Sequence, residues 1–412
     1  MAVKLVEVDI AEPIPGIPGA PGYSSIQVLV RDSGAPVGRV YLEAHEDGIS
    51  PDRLAAEISN WCSTDLLRSS VYQMLAGDSA ETQSQEPLPF ISVLVCTRDR
   101  PESLIHALRS LQALDYPNFE VLVIDNCPTQ SETEKLAVQY SFRYVIESRP
   151  GLDWARNRGI TEAAGDVIAF IDDDGAADPQ WLWGLARGFA DPGTRCITGL
   201  VLPLELETRA QELFEIAYGG FGRGFRQKVF RAGTLWKDAL RRPSIGTGCN
   251  MAFRKSVFNE IGLFDPAFDV GTPTGGCGDL DMFHRLMRKG LTIEYRPEVV
   301  VYHRHRESME DLRKQLRNYG RSFMAFQTKC FIYEPDERPA ILRFVLKWYL
   351  TWCLKRIVRR LLSRRREHMP LRLILAEALG SLGGTGAYFR AVKQARDIAA
   401  AHAPIDRCTV RA

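Results

Sequence analysis

Short apolar runs that end in polar residues constrain the fold of this chain more than any other feature of its sequence. Residues 167–171 are uninterrupted apolar residues, and Asp172 to Asp174 follow them directly. Residues 91–96 and 121–124 are runs of a similar kind. Because amphipathic helical patterns lie between these runs, they predict a parallel α/β sheet whose strands are buried on both faces.

The polar residues after these runs are predicted to meet at one edge of the sheet. Residues 97–99 follow the first run, Asp125 and Asn126 follow the second, and Asp172 to Asp174 follow the last. In open α/β sheets, ligands bind beyond the carboxyl ends of the strands. We therefore expect one shared site at this edge.

Three consecutive aspartates at a strand end favour a metal site. Mg²⁺ and Mn²⁺ prefer carboxylate and phosphate oxygens, and Mg²⁺ is commonly held by one or two carboxylates together with substrate phosphates. Three adjacent carboxylates would repel one another unless a cation lay among them. The alternative is a turn of solvated acids, since aspartate is common in turns.

A second acidic group, Asp279 and Asp281, follows the glycine-rich residues 275–278. One interpretation is helix capping, because acids favour helix N-termini. The other is a general base, because a carboxylate at such a position can accept a proton from an attacking hydroxyl. The two interpretations are compatible if one aspartate caps and the other reacts.

His303 and His305 alternate within residues 299–305, which we predict to be a short strand. A period of two places both side chains on one face of that strand. Imidazole is a common ligand of metal ions, so both are candidate ligands beside the aspartates. Packing in the core is the competing interpretation.

Composition divides the chain into four parts. Residues 1–76 predict a small α+β module with two strands and a helix that begins at Ser50 and Pro51. Residues 77–89 are polar and predict a linker. Residues 90–306 carry the α/β pattern, and residues 307–412 predict a helical, basic C-terminal region.

Residues 340–366 predict a basic amphipathic helix. They include nine Lys or Arg residues and no acid, interleaved with aromatic and aliphatic residues. Such a helix can pack on the α/β domain, or it can contact an anionic membrane surface. Nucleic-acid binding is not expected, because the net charge of the whole chain is only +1.

Cysteine usage and hydropathy indicate where such a chain would work. The nine cysteines are scattered and include no Cys-x-x-Cys pair, which is typical of reduced thiols in a cytosolic protein. No uncharged apolar stretch approaches the ~20 residues that a spanning helix needs. We expect a cytoplasmic protein that is peripheral on the inner face of the membrane.

Five segments, in order along the chain, resemble family 2 glycosyltransferases with the GT-A fold. They are Ile91 to Pro101, Val123 to Asn126, the Gly-Leu-Asp-Trp-Ala-Arg-Asn-Arg-Gly segment 151–159, the DxD-type segment 170–174, and Gly248 to Arg254. The resemblance covers about residues 90–306, roughly half of the chain. It implies a GT-A sheet of the nucleotide-diphospho-sugar transferase type over this range.

The resemblance also implies roles for individual residues. Asp279 would be the catalytic base, with Asp281 as second choice, because family members commonly have Glu-Asp-x-Asp where this chain has Gly-Asp-Leu-Asp at 278–281. The implied metal ligands are Asp172, Asp174 and His303, holding Mn²⁺ or Mg²⁺. The implied donor-binding residues are Thr97, Arg98, Asp125, Arg156, Asp172, Asp173 and Asn250.

The function that the resemblance implies is sugar transfer. A metal-dependent, inverting enzyme of the hexosyltransferase type would move a sugar from a nucleoside-diphosphate sugar to an acceptor hydroxyl, as in polysaccharide biosynthesis. The acceptor would be a glycan, a lipid-linked molecule or a small molecule. Two alternatives stay open: a nucleotidyltransferase on a similar sheet, and an inactive scaffold that binds a nucleotide sugar.

Overall fold

The computed structural model describes residues 2–76, 87–231, 245–362 and 369–402. Most of the predicted linker, 77–86, and the three arginines 364–366 lie outside these ranges. The strands are β1 (Ala2–Asp9), β2 (Tyr23–Asp32), β3 (Ala35–Glu43), β4 (Ile91–Thr97), β5 (Phe119–Asn126), β6 (Arg143–Glu147), β7 (Val167–Asp172), β8 (Gly175–Ala177), β9 (Thr194–Pro203), β10 (Lys228–Phe230), β11 (Asn250–Arg254) and β12 (Thr292–His303).

Helices connect the strands of the central region and make up the C-terminal region. They are α1 (Pro51–Ala76), α2 (Pro101–Gln112), α3 (Glu132–Gln139), α4 (Leu152–Glu162), α5 (Trp181–Phe189), α6 (Arg209–Glu212), α7 (Val257–Ile261), α8 (Gly278–Arg288), α9 (Met309–Tyr333), α10 (Arg338–Trp348), α11 (Lys355–Leu362), α12 (Leu371–Leu382) and α13 (Gly384–Ala401). Two π-helical turns, Leu213–Tyr218 and Tyr349–Leu354, continue α6 and join α10 to α11.

The larger sheet has the order β10-β12-β9-β11-β7-β4-β5-β6 in the described residues, and β8 pairs with β12. The three strands predicted from the apolar runs are β4, β5 and β7. In the structure β4 pairs in parallel with β5 and with β7, and β6 adds a further parallel strand beside β5. The other half is mixed, because β11 runs antiparallel to both β7 and β9. The predicted fold class is confirmed: an α/β sheet with a small N-terminal module and a helical C-terminal region.

Apolar residues cover both faces of the sheet. Ile91, Val93 and Val95 of β4 pack on one face with the leucines of α2, while Leu94 packs on the other face with Ala155 and Ile160 of α4. Successive side chains of a strand point to opposite faces, so a strand covered by helices on both sides must be apolar throughout. The polar residues of β4 are accordingly few: Ser92 near its start, which donates to Glu120, and Thr97 at its end.

The N-terminal module has one more strand than the sequence predicts. The unassigned residues 2–9 form β1, which pairs in parallel with β2, while β2 and β3 pair antiparallel. This module docks on the larger sheet, where Leu29 packs against Leu200, Leu202 and Val300. We attribute the missed strand to β1 needing β2 as its partner, which local sequence does not reveal.

Buried ion pairs hold the N-terminal module against the larger sheet. Arg31 donates to Asp178 (2.6 Å) and to the hydroxyl of Tyr302 (2.8 Å). Arg39 donates to Glu215 (2.6 Å), whose side chain is almost fully buried. The module and the α/β domain are thus joined by charged contacts that water does not reach freely.

The C-terminal helices pack at very short range. A Cβ on Gly320 of α9 would lie 1.9 Å from the carbonyl oxygen of Glu377, and one on Gly380 of α12 would lie 2.0 Å from that of Arg317. Only glycine permits this approach of the two backbones. In the part of the chain that the structure describes, no helix is both long and apolar enough to cross a membrane.

We expect Gly380→Ala to lower the free energy of unfolding by about 1–3 kcal/mol, because the added methyl group overlaps the backbone of α9. The matched control is Gly386→Ala in α13, where the new Cβ would meet only the end of the Arg390 side chain at 3.3 Å. That variant should be as stable as the parent or slightly more so. Urea unfolding measures both, and equal stabilities would contradict the close packing of α9 on α12.

Candidate active site

The carboxyl ends of the central strands bring the predicted polar residues to one edge of the sheet. In the strand register, Thr97 of β4 lies opposite Asp125 of β5, and Cys96 lies opposite Asp172 of β7. The end of β12 reaches the same edge, because it pairs with β8 and His303 lies opposite Gly175. This register places the acids, the threonine and the histidine next to one another.

Arg100 lies between two of the three consecutive aspartates. Its guanidinium donates to Asp173 (2.5 Å) and to Asp174 (2.9 Å). Thr97 donates its hydroxyl to the other oxygen of Asp173 (2.7 Å). The repulsion expected among the aspartates is therefore relieved in part by a cation of the chain itself.

His303 lies against the remaining oxygens of the acidic cluster. Its Nε2 is 3.1 Å from Oδ1 of Asp174 and 3.9 Å from Oδ2 of Asp172. Its Nδ1 is buried and has no hydrogen-bond partner among the described residues. Burial alone would lower the pKa of His303, but the two aspartates outweigh it and raise that pKa.

The three aspartates differ in their tendency to ionise. Burial raises the pKa of Asp172, and burial with the neighbouring Asp174 raises that of Asp173 to about 7. Burial acts in the same direction on Asp174, but His303 and Arg100 outweigh it and lower its pKa. Asp174 is thus the most stable anion of the three.

The donor set at this edge fits a divalent cation. One ligand atom each from Asp172, Cys249 and His303 lie within 4.8 Å of one another. The side chain of Asp172 is 37% exposed and has room for a ligand. No spacing in the sequence marks Cys249 as a ligand. Burial raises the pKa of its thiol well above the ordinary value, so the carboxylate and the imidazole are the better donors.

Asp279 lies in the first turn of α8 and is partly exposed. Its Oδ2 accepts a hydrogen bond from the backbone N–H of Gly248 (2.7 Å), and its Oδ1 accepts one from that of Leu280 (2.8 Å). Burial and the neighbouring Asp269 raise its pKa, against the opposing effect of Arg156. A carboxylate with a raised pKa is a better proton acceptor.

Asp281 has a different environment. It forms ion pairs with Lys329 (2.6 Å) and Arg285 (2.9 Å), and its side chain is only 2% exposed. Both of its oxygens are engaged by cations of the chain. The geometry therefore favours Asp279 over Asp281 as the residue that meets a substrate.

Arg156 of α4 is buried among carboxylates beneath Asp279. It donates to Asp153 (2.9 Å) and to Asp269 (2.5 Å). A Cβ on Gly248 would lie 3.0 Å from its Nη2 and 3.4 Å from Cβ of Asp279, so Gly248 lets the two side chains approach. Sequence reasoning missed Asp269, which lies in a loop with a positive φ of 69° and follows no motif.

The other predicted donor-binding residues lie in different environments. Asp125 is buried and accepts a hydrogen bond from the hydroxyl of Tyr144 (3.0 Å), whereas Arg98 is exposed at the end of β4. The side chain of Asn250 is used within the fold. Its amide donates to the carbonyls of Leu200 and Val299, and its oxygen accepts from Trp181.

The prediction that His305 lies in a strand is wrong. β12 ends at His303, and His305 pairs through Nε2 with Glu215 (3.2 Å). Its ring remains near that of His303, at a centroid distance of 5.9 Å. Only His303 contacts the aspartates, because the chain leaves the sheet after it.

Comparison with known proteins gives a consistent result for the α/β domain. Residues 92–262 match the family model Glycosyl transferase family 2, which confirms the resemblance seen in the motifs. Glycosyltransferase AglE of Haloferax volcanii is 25% identical over 238 residues, or 56% of this chain and 72% of that protein. The glucosyl-dolichyl phosphate glucuronosyltransferase of the same organism is 29% identical over 204 residues, or 46% of this chain and 58% of that protein.

The alignment therefore spans little more than half the length of the second relative. Among solved structures, the mannosyltransferase PcManGT from Pyrobaculum calidifontis, in complex with GDP-Man and Mn²⁺, is 17% identical with a TM-score of 0.46. The likeness covers 80% of this chain and 93% of that one. A likeness of this extent assigns neither ligand to this chain.

Asp153 should make stability fall as the pH rises. Burial and Asp269 raise its pKa well above the ordinary value of 3.8, against the effect of Arg156, so the folded state binds its proton more tightly than the unfolded state does. We expect Asp153→Asn to gain stability relative to the parent between about pH 4 and neutrality. Urea unfolding over a pH series measures this difference.

Glu147→Gln is the control of opposite sign. Burial opposes ionisation of Glu147, but hydrogen bonds from Arg149 outweigh it and lower its pKa. The stability that Glu147 contributes is present above its ordinary pKa and is lost as the pH falls. The deficit of Glu147→Gln should therefore be largest near neutrality. Parallel pH profiles for the parent and both variants would contradict this account of the two carboxylates.

Proposed function

We propose, from the match of residues 92–262 to the family model Glycosyl transferase family 2, that this protein is a metal-dependent, inverting glycosyltransferase that uses a nucleoside-diphosphate sugar. One observation carries the proposal. Two consecutive residues link the two halves of the site: Gly248 donates to Asp279, and Cys249 lies with Asp172 and His303. The base candidate Asp279 and the metal-ligand candidates Asp172 and His303 thus lie beside the same two residues, Gly248 and Cys249.

The donor is proposed to lie along the carboxyl ends of β4, β5 and β7. Thr97 and Asp125 would contact the nucleoside, with Arg98, Arg156 and Asp173 near the rest of the donor. The buried carboxylate of Asp125 supports this role, because a buried acceptor selects ligands that offer a hydrogen-bond donor. Asn250 stays a predicted donor-site residue, with its side chain engaged within the sheet.

The residues proposed to hold Mn²⁺ or Mg²⁺ are Asp172, Asp174 and His303. Their oxygen and imidazole donors suit either ion. The assignment is supported by the partly exposed Asp172 carboxylate and by Nδ1 of His303, which has no hydrogen-bond partner within the described ranges. A divalent cation bound there would neutralise the negative charge that develops on the leaving diphosphate. Arg100 and Arg306 add positive charge beside Asp174.

The proposed chemistry is a single displacement. The acceptor hydroxyl oxygen forms a bond to the anomeric carbon, and the bond from that carbon to the diphosphate oxygen breaks. Asp279 takes the hydroxyl proton, and the diphosphate leaves with the bonding electron pair. Attack from the face opposite the leaving group inverts the anomeric centre, and the sugar proposed to be transferred is a hexose.

The acceptor is proposed to be a hydroxyl of a glycan, a lipid-linked molecule or a small molecule. The name of one Haloferax volcanii relative includes glucosyl-dolichyl phosphate, which favours the lipid-linked class. A protein of the cytoplasm that works at the inner face of the membrane would meet such an acceptor. Polysaccharide biosynthesis is the process proposed for it.

Asp279→Asn and Asp281→Asn should separate catalysis from stability. The first removes the proposed proton acceptor, so we expect a loss of roughly 10²–10⁴-fold in turnover with little change in the unfolding temperature. The second leaves Lys329 and Arg285 without their carboxylate, so it should cost about 3–5 kcal/mol of stability while the folded fraction keeps its activity. Nucleoside diphosphate release from UDP-, GDP- and dTDP-sugars measures turnover. The reverse pattern would make Asp281 the base.

Metal removal should abolish release and weaken donor binding. We expect chelator to stop nucleoside diphosphate release and added Mn²⁺ or Mg²⁺ to restore it, with His303→Ala needing a much higher metal concentration. Titration calorimetry with the metal alone gives a readout that is independent of turnover. Release that resists chelator would contradict the metal proposal, and pyrophosphate release from a nucleoside triphosphate would favour a nucleotidyltransferase. Donor binding without turnover on any acceptor would favour the scaffold.

A further inference from the structure

A continuous stripe of aliphatic side chains is exposed along the helices that follow residue 337. Every fourth residue from 342 to 362 is aliphatic, and each is 43–83% exposed. The stripe consists of Leu342, Leu346, Leu350, Leu354, Val358 and Leu362. At 1.5 Å per residue it extends over roughly 30 Å. Soluble surfaces tolerate single exposed leucines, but a contiguous row of them marks an interaction site.

The opposite side of the same helices is already used for packing. Trp348 stacks on Phe323 of α9 at 4.8 Å, and Trp352 donates its indole N–H to Glu377 of α12 (2.9 Å). Ile341 and Cys353 are buried. Trp348 and Trp352, which the sequence pattern makes candidates for membrane contact, therefore face the protein. The aliphatic residues are the ones that remain exposed.

The π-helical turn Tyr349–Leu354 helps to keep the stripe on one side. In an α-helix, positions four residues apart drift by about 40° at each step, so a row with this spacing would wind around the helix. A π-helical turn is wider and contains more residues, which offsets part of the drift. The local irregularity thus preserves the exposed row between α10 and α11.

Cations lie directly beside the exposed row. Arg343, Lys347 and Lys355 each follow a stripe residue in the sequence, and all three are exposed. From Arg338 to Arg366 the sequence contains ten Lys or Arg residues and no Asp or Glu. A second copy of this chain would bring the same positive charges against them, which disfavours self-association through this face.

We propose that the stripe and its flanking cations form an interfacial docking surface for an anionic phospholipid bilayer. The aliphatic side chains would enter the acyl–headgroup boundary, and the cations would meet the phosphate groups, with the helices lying in the plane of the interface. This inference goes beyond sugar transfer and does not depend on it, since the surface is outside the candidate active site.

Vesicle co-sedimentation of the full chain, without donor or acceptor, tests the proposal. The parent should bind vesicles of phosphatidylcholine with phosphatidylglycerol, and should bind pure phosphatidylcholine much more weakly. Leu346→Ser with Leu350→Ser should weaken partitioning at least about tenfold, because the lost methylene burial is large. Arg343→Gln with Lys347→Gln should weaken it by roughly 30-fold at low salt.

The matched control is Lys135→Gln with Val138→Ser on α3, which removes one exposed cation and one exposed aliphatic residue elsewhere. It should bind as the parent does, and circular dichroism should show all variants folded. Equal binding of parent and stripe variants would overturn the proposal, as would no binding to either vesicle. A parent dimer in sedimentation velocity that the leucine changes dissociate, without vesicle binding, would assign the face to a second copy.

Discussion

The arrangement of the site depends on pairing its buried carboxylates with cations. Asp172, Asp173 and Asp174 crowd one strand end, and Asp153, Asp269 and Asp279 crowd the neighbouring loop and helix start. Arg100 contacts two carboxylates of the first group, and Arg156 contacts two of the second. Since isolated buried charges are very costly, these two arginines and His303 influence which carboxylates stay ionised. What remains is a carboxylate with a raised pKa at Asp279 and a partly exposed one at Asp172.

Sequence patterns were sufficient for the parts of the fold that depend on local periodicity. The apolar runs located β4, β5 and β7, and the amphipathic patterns between them indicated helices, because each of these elements has a pattern of its own. Strand ends likewise indicated Asp125 and the three aspartates. The sequence could not show that Arg100 would reach across to Asp173, or that Asp269 would return from a distant loop to Arg156. Contacts of this kind depend on tertiary geometry, and no spacing in the chain encodes them.

The C-terminal helices show why periodicity can be ambiguous. Phe344, Trp348 and Trp352 are spaced by four residues, as are Leu342, Leu346 and Leu350, so both rows are apolar and either face could be the one that packs. The structure resolves this through specific partners: the stacking of Trp348 on Phe323 and the hydrogen bond from Trp352 to Glu377. Indole rings that find both a ring and an acceptor inside the protein leave aliphatic residues on the outside. A helix apolar on two sides thus has one face for the fold and one for a partner.

The docking of the N-terminal module has a consequence for how the chain is made. Arg31 binds Asp178 and Tyr302, Arg39 binds Glu215, and the backbone of Val3 bonds to that of Leu206. The docking contacts of Arg31 and Arg39 therefore wait for residues that lie 147 to 271 positions later in the chain. During that interval the docking face of the module, with Leu29, is exposed, and contacts of such long sequence separation form slowly. The boundary near residue 90 divides the chain into structural units, but the two become one folding unit only after β12 has emerged.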